Sequence, residues 1–137
     1  MSNFKPLIDQ DALAVVTIRL EADGEPYAGK VGVAEVIRNR MRRLYSSDGT
    51  VSGTVLRRLQ FSCWNAADPR RAQMCNAYEA APLSRAARDA WDESAHTALV
   101  SGATLYHAAT MDPYPDWASR AKFVVQLGGH RFYRDEE

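Results

Sequence analysis

The chain has 137 residues, 46% hydrophobic and 25% charged, with 17 basic and 17 acidic side chains that cancel to a formal net charge of zero. That length fits a single domain over residues 1–137 with a modest core, and the charge balance argues against a protein held to nucleic acid by bulk charge. No apolar run is long enough for stable membrane insertion.

Residues 2–10 contain Lys5, Pro6, Asp9 and Gln10 in place of the cationic start and apolar stretch of a secretory signal. The expectation is a protein made in the cytoplasm, delivered by another component if its target lies outside. Asp9 or Asp11 can then cap a first helix whose apolar residues Leu13, Val16 and Leu20 recur at helical spacing, with Gly24 as its stop. Glu21 falls in the last turn. Pro26 suits the first turn of a second helix running to about Leu44, with Val33, Ile37, Met41 and Leu44 on its buried stripe. Arg38, Arg40, Arg42 and Arg43 concentrate charge on it, either as a solvated face or as a patch that meets an anionic polymer.

Ser46-Ser47-Asp48-Gly49 closes that helix as a loop, and a short helix is expected over residues 54–59. Residues 65–71, rich in Asn, Asp, Pro and Arg, read as an exposed excursion, and residues 73–80 as a further helix. Ser84 can cap a longer helix through Ala87, Trp91, Ala95 and Leu99 to a stop at Gly102. From Thr104 the chain turns irregular, with Pro113, Pro115 and Trp117. Two β-type runs, 123–126 and 131–134, are joined by Leu127-Gly128-Gly129-His130 into a small hairpin.

Cys63 and Cys75 are the only cysteines. Their spacing permits a disulfide without implying one, and two small buried thiols are the plainer expectation. His96, His107 and His130 are scattered, with no paired ligand spacing, so no metal site and no cofactor is expected. The chemistry instead centres on Glu21 in Leu20-Glu21-Ala22-Asp23-Gly24-Glu25-Pro26. A carboxylic acid held at a helix end beside apolar walls is the setting of a general acid, and glycan cleavage is the reading it favours. The competing reading is an exposed residue with no role.

Six blocks, taken together, carry a family resemblance. They are Glu21-Ala22-Asp23-Gly24-Glu25-Pro26-Tyr27; Val33-Ala34 with Asn39-Arg40; Gln60-Phe61-Ser62-Cys63-Trp64; Tyr106-His107-Ala108; Pro115 with Trp117; and Gly128-Gly129-His130-Arg131-Phe132-Tyr133. In order and spacing this set resembles the cell-wall hydrolase family of the spore cortex-lytic enzymes, over roughly residues 12–134. The resemblance implies a mainly α, lysozyme-like (α+β) catalytic domain related to lytic transglycosylases, with a small β-hairpin near the C-terminus, acting on peptidoglycan glycan strands. It assigns Glu21 as the single catalytic acid and base at the bond between N-acetylmuramic acid and N-acetylglucosamine. It implies sugar contacts from Gln60, Phe61 and Ser62, although plain loop structure would read the same. It also puts the Tyr106-His107 pair where the family keeps a tyrosine near the acid: Tyr106 either hydrogen-bonds the acid or the N-acetyl group, or fills the core, and His107 is either a substrate contact or a structural residue.

Glu25 is expected to cap or brace the second helix. Trp64 and Trp117 either stack on sugars or pack, and His130 is expected to be structural. Spore enzymes of this family usually carry an additional binding domain and an export signal. A chain without them looks more like a bacteriophage endolysin, released through a membrane hole made by a holin-type partner. Rival readings are a muramidase that uses water, a non-catalytic peptidoglycan-binding module and a phage structural protein. Amidase or peptidase action is disfavoured, because no zinc ligand set and no Cys-His pair stands at the expected spacing.

Overall fold

Asp9 opens the first helix, α1 (Gln10–Glu21), by accepting the Ala12 amide on its side chain at 3.0 Å. The computed structural model describes residues 9–57, 61–64 and 85–135. In α1 the six successive residues from Leu13 to Ile18 are all buried, so this helix is enclosed on every side rather than by one stripe. The only polar member of that run, Thr17, is satisfied by donating to the Leu13 carbonyl at 2.8 Å and accepting from the Trp64 indole at 3.0 Å. Trp64 is thereby pinned to α1 as a packing residue.

The second helix, α2 (Tyr27–Arg43), begins after Pro26 and ends at Leu44, whose left-handed backbone (φ 56°) turns the chain away. Its arginines divide: Arg42 and Arg43 are exposed, as a solvated face requires, whereas Arg38 is half-buried and Arg40 buried. Arg38 lies 3.7 Å over the Trp91 ring and donates to Ser94, Arg40 is buried and donates to the Thr104 carbonyl at 2.6 Å, and Arg43 pairs with Asp135 at 2.6 Å. Successive helical positions point in different directions. The run therefore staples α2 to several neighbours.

The third helix, α3 (Val51–Val55), starts earlier than the expected span of 54–59, because Thr50 accepts the Gly53 amide on its hydroxyl at 2.9 Å. A short 3₁₀ turn follows at Ser62–Trp64. The next helix among the described residues, α4 (Arg85–Ser94), stops well short of Gly102. The cause is Glu35, buried in α2, whose carboxylate accepts the Leu99 and Val100 amides at 2.9 and 3.0 Å and the Thr97 hydroxyl at 2.5 Å. Those amides are held by a side chain, which bends residues 95–102 into turns. The excursion at 65–71, the helix expected at 73–80, Ser84, Cys75 and Gln60 lie outside the described residues.

The expected hairpin forms as β2 (Lys122–Leu127) and β3 (His130–Arg134), joined through Gly128 and Gly129. It gains a third strand, β1 (Leu105–Ala108), where an irregular segment was expected, giving an antiparallel sheet in the order β1-β3-β2. Alternation along β3 sends His130 and Phe132 toward the helices and Arg131 and Tyr133 outward. The inner face packs on α2 so closely that a Cβ on Gly32 would stand 2.7 Å from the tip of the Phe132 ring.

Gly32→Ala therefore gains helix propensity but forces a buried ring to move, and a net loss of about 1–3 kcal/mol is expected in urea unfolding. An unchanged or raised midpoint would contradict the close approach.

Candidate active site

Glu21 is the last residue of α1, and the turn after it is held from both sides. Gly24 adopts φ 80°, and Lys30, one turn into α2, donates its ammonium to the Ala22 and Glu25 carbonyls, each at 2.8 Å. The Ala22 carbonyl is one that the end of α1 leaves without a partner inside the helix, and the Glu25 carbonyl belongs to the turn before α2. Lys30 thus fixes the backbone that carries Glu21, a role the sequence reading missed although a Lys at the start of the next helix was visible.

The Glu21 carboxyl is partly exposed, and its two oxygens are addressed by different elements. Oε2 accepts the Cys63 amide from the 3₁₀ turn at 3.0 Å, and Oε1 accepts the Tyr106 hydroxyl from β1. Burial, and then the adjacent Glu21 charge, push the Tyr106 hydroxyl well above its usual value of 10.0, so it remains a donor across the physiological range. Each carboxyl oxygen has two lone pairs, and a hydrogen bond on each is compatible with a proton on one.

The wall behind is aromatic. Tyr106 faces Phe132 at 5.6 Å, His130 at 4.9 Å and Phe61 at 6.4 Å between ring centroids. Phe61 is 1% exposed, with the Arg40 guanidinium 4.9 Å from its ring, so in this structure it backs the site and does not line its surface. Burial lowers the Arg40 pKa, and attraction to Tyr106, Tyr45, Asp135 and Glu21 works against that loss.

The remaining residues singled out from sequence are placed as follows. Gln60 lies outside the described residues, as does the side chain of Ser62, whose backbone belongs to the 3₁₀ turn. His107 does not share the face of Glu21: alternation along β1 turns it outward, where its Nε2 meets the Tyr133 hydroxyl at 2.8 Å and its ring packs against Tyr114 and Trp117. Trp117 packs edge-on against Tyr133 there. Glu25 does not cap α2, whose first turn carries no side-chain cap. Its carboxylate accepts the Gly129 amide at 2.6 Å, tying the α1–α2 turn to the β2–β3 turn. A Cβ on Gly128, at φ 57°, would collide with that carboxylate and with Pro26 at 2.6 Å, so both glycines serve this close junction.

His130 is the site neighbour that sequence reasoning undervalued. It is 9% exposed, its ring rests on Tyr106, and its Nδ1 is buried without a hydrogen-bond partner among the described residues. Burial lowers its pKa below the usual 6.5, against the pull of Glu25 and Glu21 and with a smaller push from His107. The folded protein therefore takes up this proton at lower pH than the unfolded chain, so the stability held above about pH 6.5 declines as the pH falls through that value. Thermal melts from pH 8 to 5.5 should show a smaller loss in His130→Gln than in the wild type. Parallel curves would contradict this. Among the described residues no three His, Cys, Asp or Glu side chains gather as a metal site.

The described residues form a helical body whose first helix delivers the Glu21 carboxyl to the edge of a small antiparallel sheet, an α+β architecture. The chain matches the family model described as Cell Wall Hydrolase over residues 24–133, and it belongs to that family, whose members are peptidoglycan-cleaving enzymes. Glu21 stands just ahead of the matched segment. Among solved structures the chain is similar to the catalytic domain of the germination-specific lytic transglycosylase SleB from Bacillus anthracis, with a TM-score of 0.66 and 22% identity, covering 98% of this chain and 100% of that one. It is likewise similar to the catalytic domain of the Bacillus cereus SleB protein, with a TM-score of 0.62 and 23% identity, covering 98% of each chain. At these identities the likeness is one of fold. No curated protein matches the chain in sequence.

Proposed function

We infer that this enzyme is a lytic transglycosylase that cleaves the β-1,4 bond between N-acetylmuramic acid and N-acetylglucosamine, with Glu21 as the only acid and base. The observation that carries this reading is the hold on Glu21: a partly exposed carboxyl oriented by the Tyr106 hydroxyl and the Cys63 amide in front of a buried aromatic wall. The printed description of the Bacillus anthracis neighbour as a lytic transglycosylase supports it.

In the acid form Glu21 donates its proton to the glycosidic oxygen as the C1–O bond breaks. The C6 hydroxyl of the muramyl ring attacks C1, and the Glu21 carboxylate accepts the hydroxyl proton. The products are a free N-acetylglucosamine 4-hydroxyl and a 1,6-anhydromuramyl end, with no water consumed and Glu21 returned to its acid form. Tyr106 keeps the carboxyl oriented through both transfers. A hydrolase using water would call for a second carboxylate across the bond. Glu25, near in sequence, is tied through its carboxylate to the Gly129 amide of the β2–β3 turn, which gives it a bracing role in this reading.

Incubation of purified insoluble peptidoglycan with the protein should lower turbidity and release soluble muropeptides. Retention on the polymer without release at any protein loading would instead make the chain a binding module.

A further inference from the structure

The outer face of the sheet carries an open pocket of about 590 Å³, bordered by Tyr114, Asp116, Ser119, Arg120, Phe123 and Arg131. None of these residues belongs to the Glu21 site. On β3, Arg131 alternates with His130 and Phe132, so the pocket and the candidate acid lie on opposite faces of one sheet.

Two features make this pocket more than a surface dip. Tyr114 and Phe123 both border the pocket, and each leaves 43% of its surface exposed. Between them the Arg131 guanidinium is fixed in place: it lies 3.9 Å over the Phe123 ring and 5.6 Å from Tyr114, and its Nε donates to the Tyr133 hydroxyl at 3.1 Å. Nη1 reaches Gln126 at only 3.5 Å, and Nη2 makes no hydrogen bond among the described residues. A guanidinium already ordered by stacking, with its outer edge presented to solvent, is prepared to hold a carboxylate. Arg120, exposed and without an ion pair among the described residues, adds a second positive charge, against Asp116 as the single acid of the lining.

Apolar ring faces beside paired cations match a polymer in which pyranose rings, with their apolar C–H faces, stand next to carboxylate-bearing peptides. We propose that this pocket is a second binding site for the peptidoglycan strand, taking a sugar ring on Tyr114 and Phe123 and a stem-peptide carboxylate on Arg131 and Arg120. It rests on the enzyme's substrate class and not on the role of Glu21. A long strand anchored on the outer face raises its own effective concentration at the cleft, so the site matters for insoluble polymer and not for short fragments.

The test uses Arg120→Glu and Tyr114→Ala, separately and together, with thermal melts to show that the fold is kept. Co-sedimentation with insoluble peptidoglycan in a Glu21→Gln background reads binding independently of cleavage, so it remains decisive even if Glu21 proves not to be the acid. The double variant should weaken co-sedimentation about tenfold, with Arg120→Glu alone carrying part of that loss. With Glu21 intact, digestion of insoluble polymer should slow by a similar factor while turnover of a soluble dimer, two disaccharide-peptides joined by the MurNAc–GlcNAc glycosidic bond, stays within about twofold of wild type. Unchanged co-sedimentation, or equal slowing on polymer and dimer, would overturn the second site.

Discussion

Glu21→Gln is expected to abolish peptidoglycan cleavage, lowering the rate by about a thousandfold or more, because an amide cannot deliver or take up the proton; its one oxygen can still accept the Cys63 amide, with its NH2 then facing the Tyr106 oxygen. The fold should be unaffected, since the side chain is partly exposed and the amide has the same shape, with the Tyr106 hydroxyl able to accept from its NH2; melting temperatures should agree within about 2 °C. Tyr106→Phe removes one oriented donor and keeps the acid, so a smaller loss of about ten- to a hundredfold is expected. Turbidity clearance by the three proteins at matched concentration measures both effects. A Glu21→Gln protein that clears within tenfold of the wild type would remove Glu21 from the chemistry.

The second large effect concerns stability. Glu35 is 2% exposed and satisfies two amides and a hydroxyl in the turns after α4. Glu35→Ala leaves all three donors without their acceptor, the Val100 amide in the buried interior and the other two nearer the surface, beside a new void. The expected cost is about 3–5 kcal/mol, or roughly 10–20 °C in melting temperature for a chain of this size. Glu35→Gln retains an acceptor and should lose about half as much. A shift below about 2 °C for Glu35→Ala would mean that the turns after α4 are held by other contacts.

Glu35 also explains why the end of α4 was unreadable. Ser84, Ala87, Trp91, Ala95 and Leu99 keep helical spacing up to Gly102, and nothing local stops the helix at Ser94. The stop is imposed by a carboxylate 64 and 65 residues earlier in the chain, through the Leu99 and Val100 amides. β1 was missed for a related reason. Tyr106 packs inward on Phe132 and His107 packs outward on Tyr133, so both faces are covered and the four-residue strand shows no polar–apolar alternation.

The elements with local signals were legible: the Asp9 cap, the Gly24 stop, the Pro26 start and the Gly128-Gly129 turn each use a residue whose backbone preference decides its place. Arg38 and Arg40 of α2 were misread because charge in a sequence does not disclose which ring or carbonyl a guanidinium will reach.

The site itself was legible as an ordered set of motifs rather than from periodicity. That reading put Tyr106 beside Glu21, where the hydroxyl is found. It did not separate Tyr106 from His107, although adjacent positions in a strand face opposite sides. Nor could it foresee Lys30 bracing the turn, or Glu25 reaching the Gly129 amide across 104 positions.

Mass analysis of the muropeptides released from purified peptidoglycan tests most directly whether Glu21 acts as the sole acid and base of a transglycosylase. The wild type should yield 1,6-anhydromuramyl ends, one water lighter than reducing ends, and Glu21→Gln should yield none. Reducing ends from the wild type, or anhydromuramyl ends undiminished in Glu21→Gln, would contradict it.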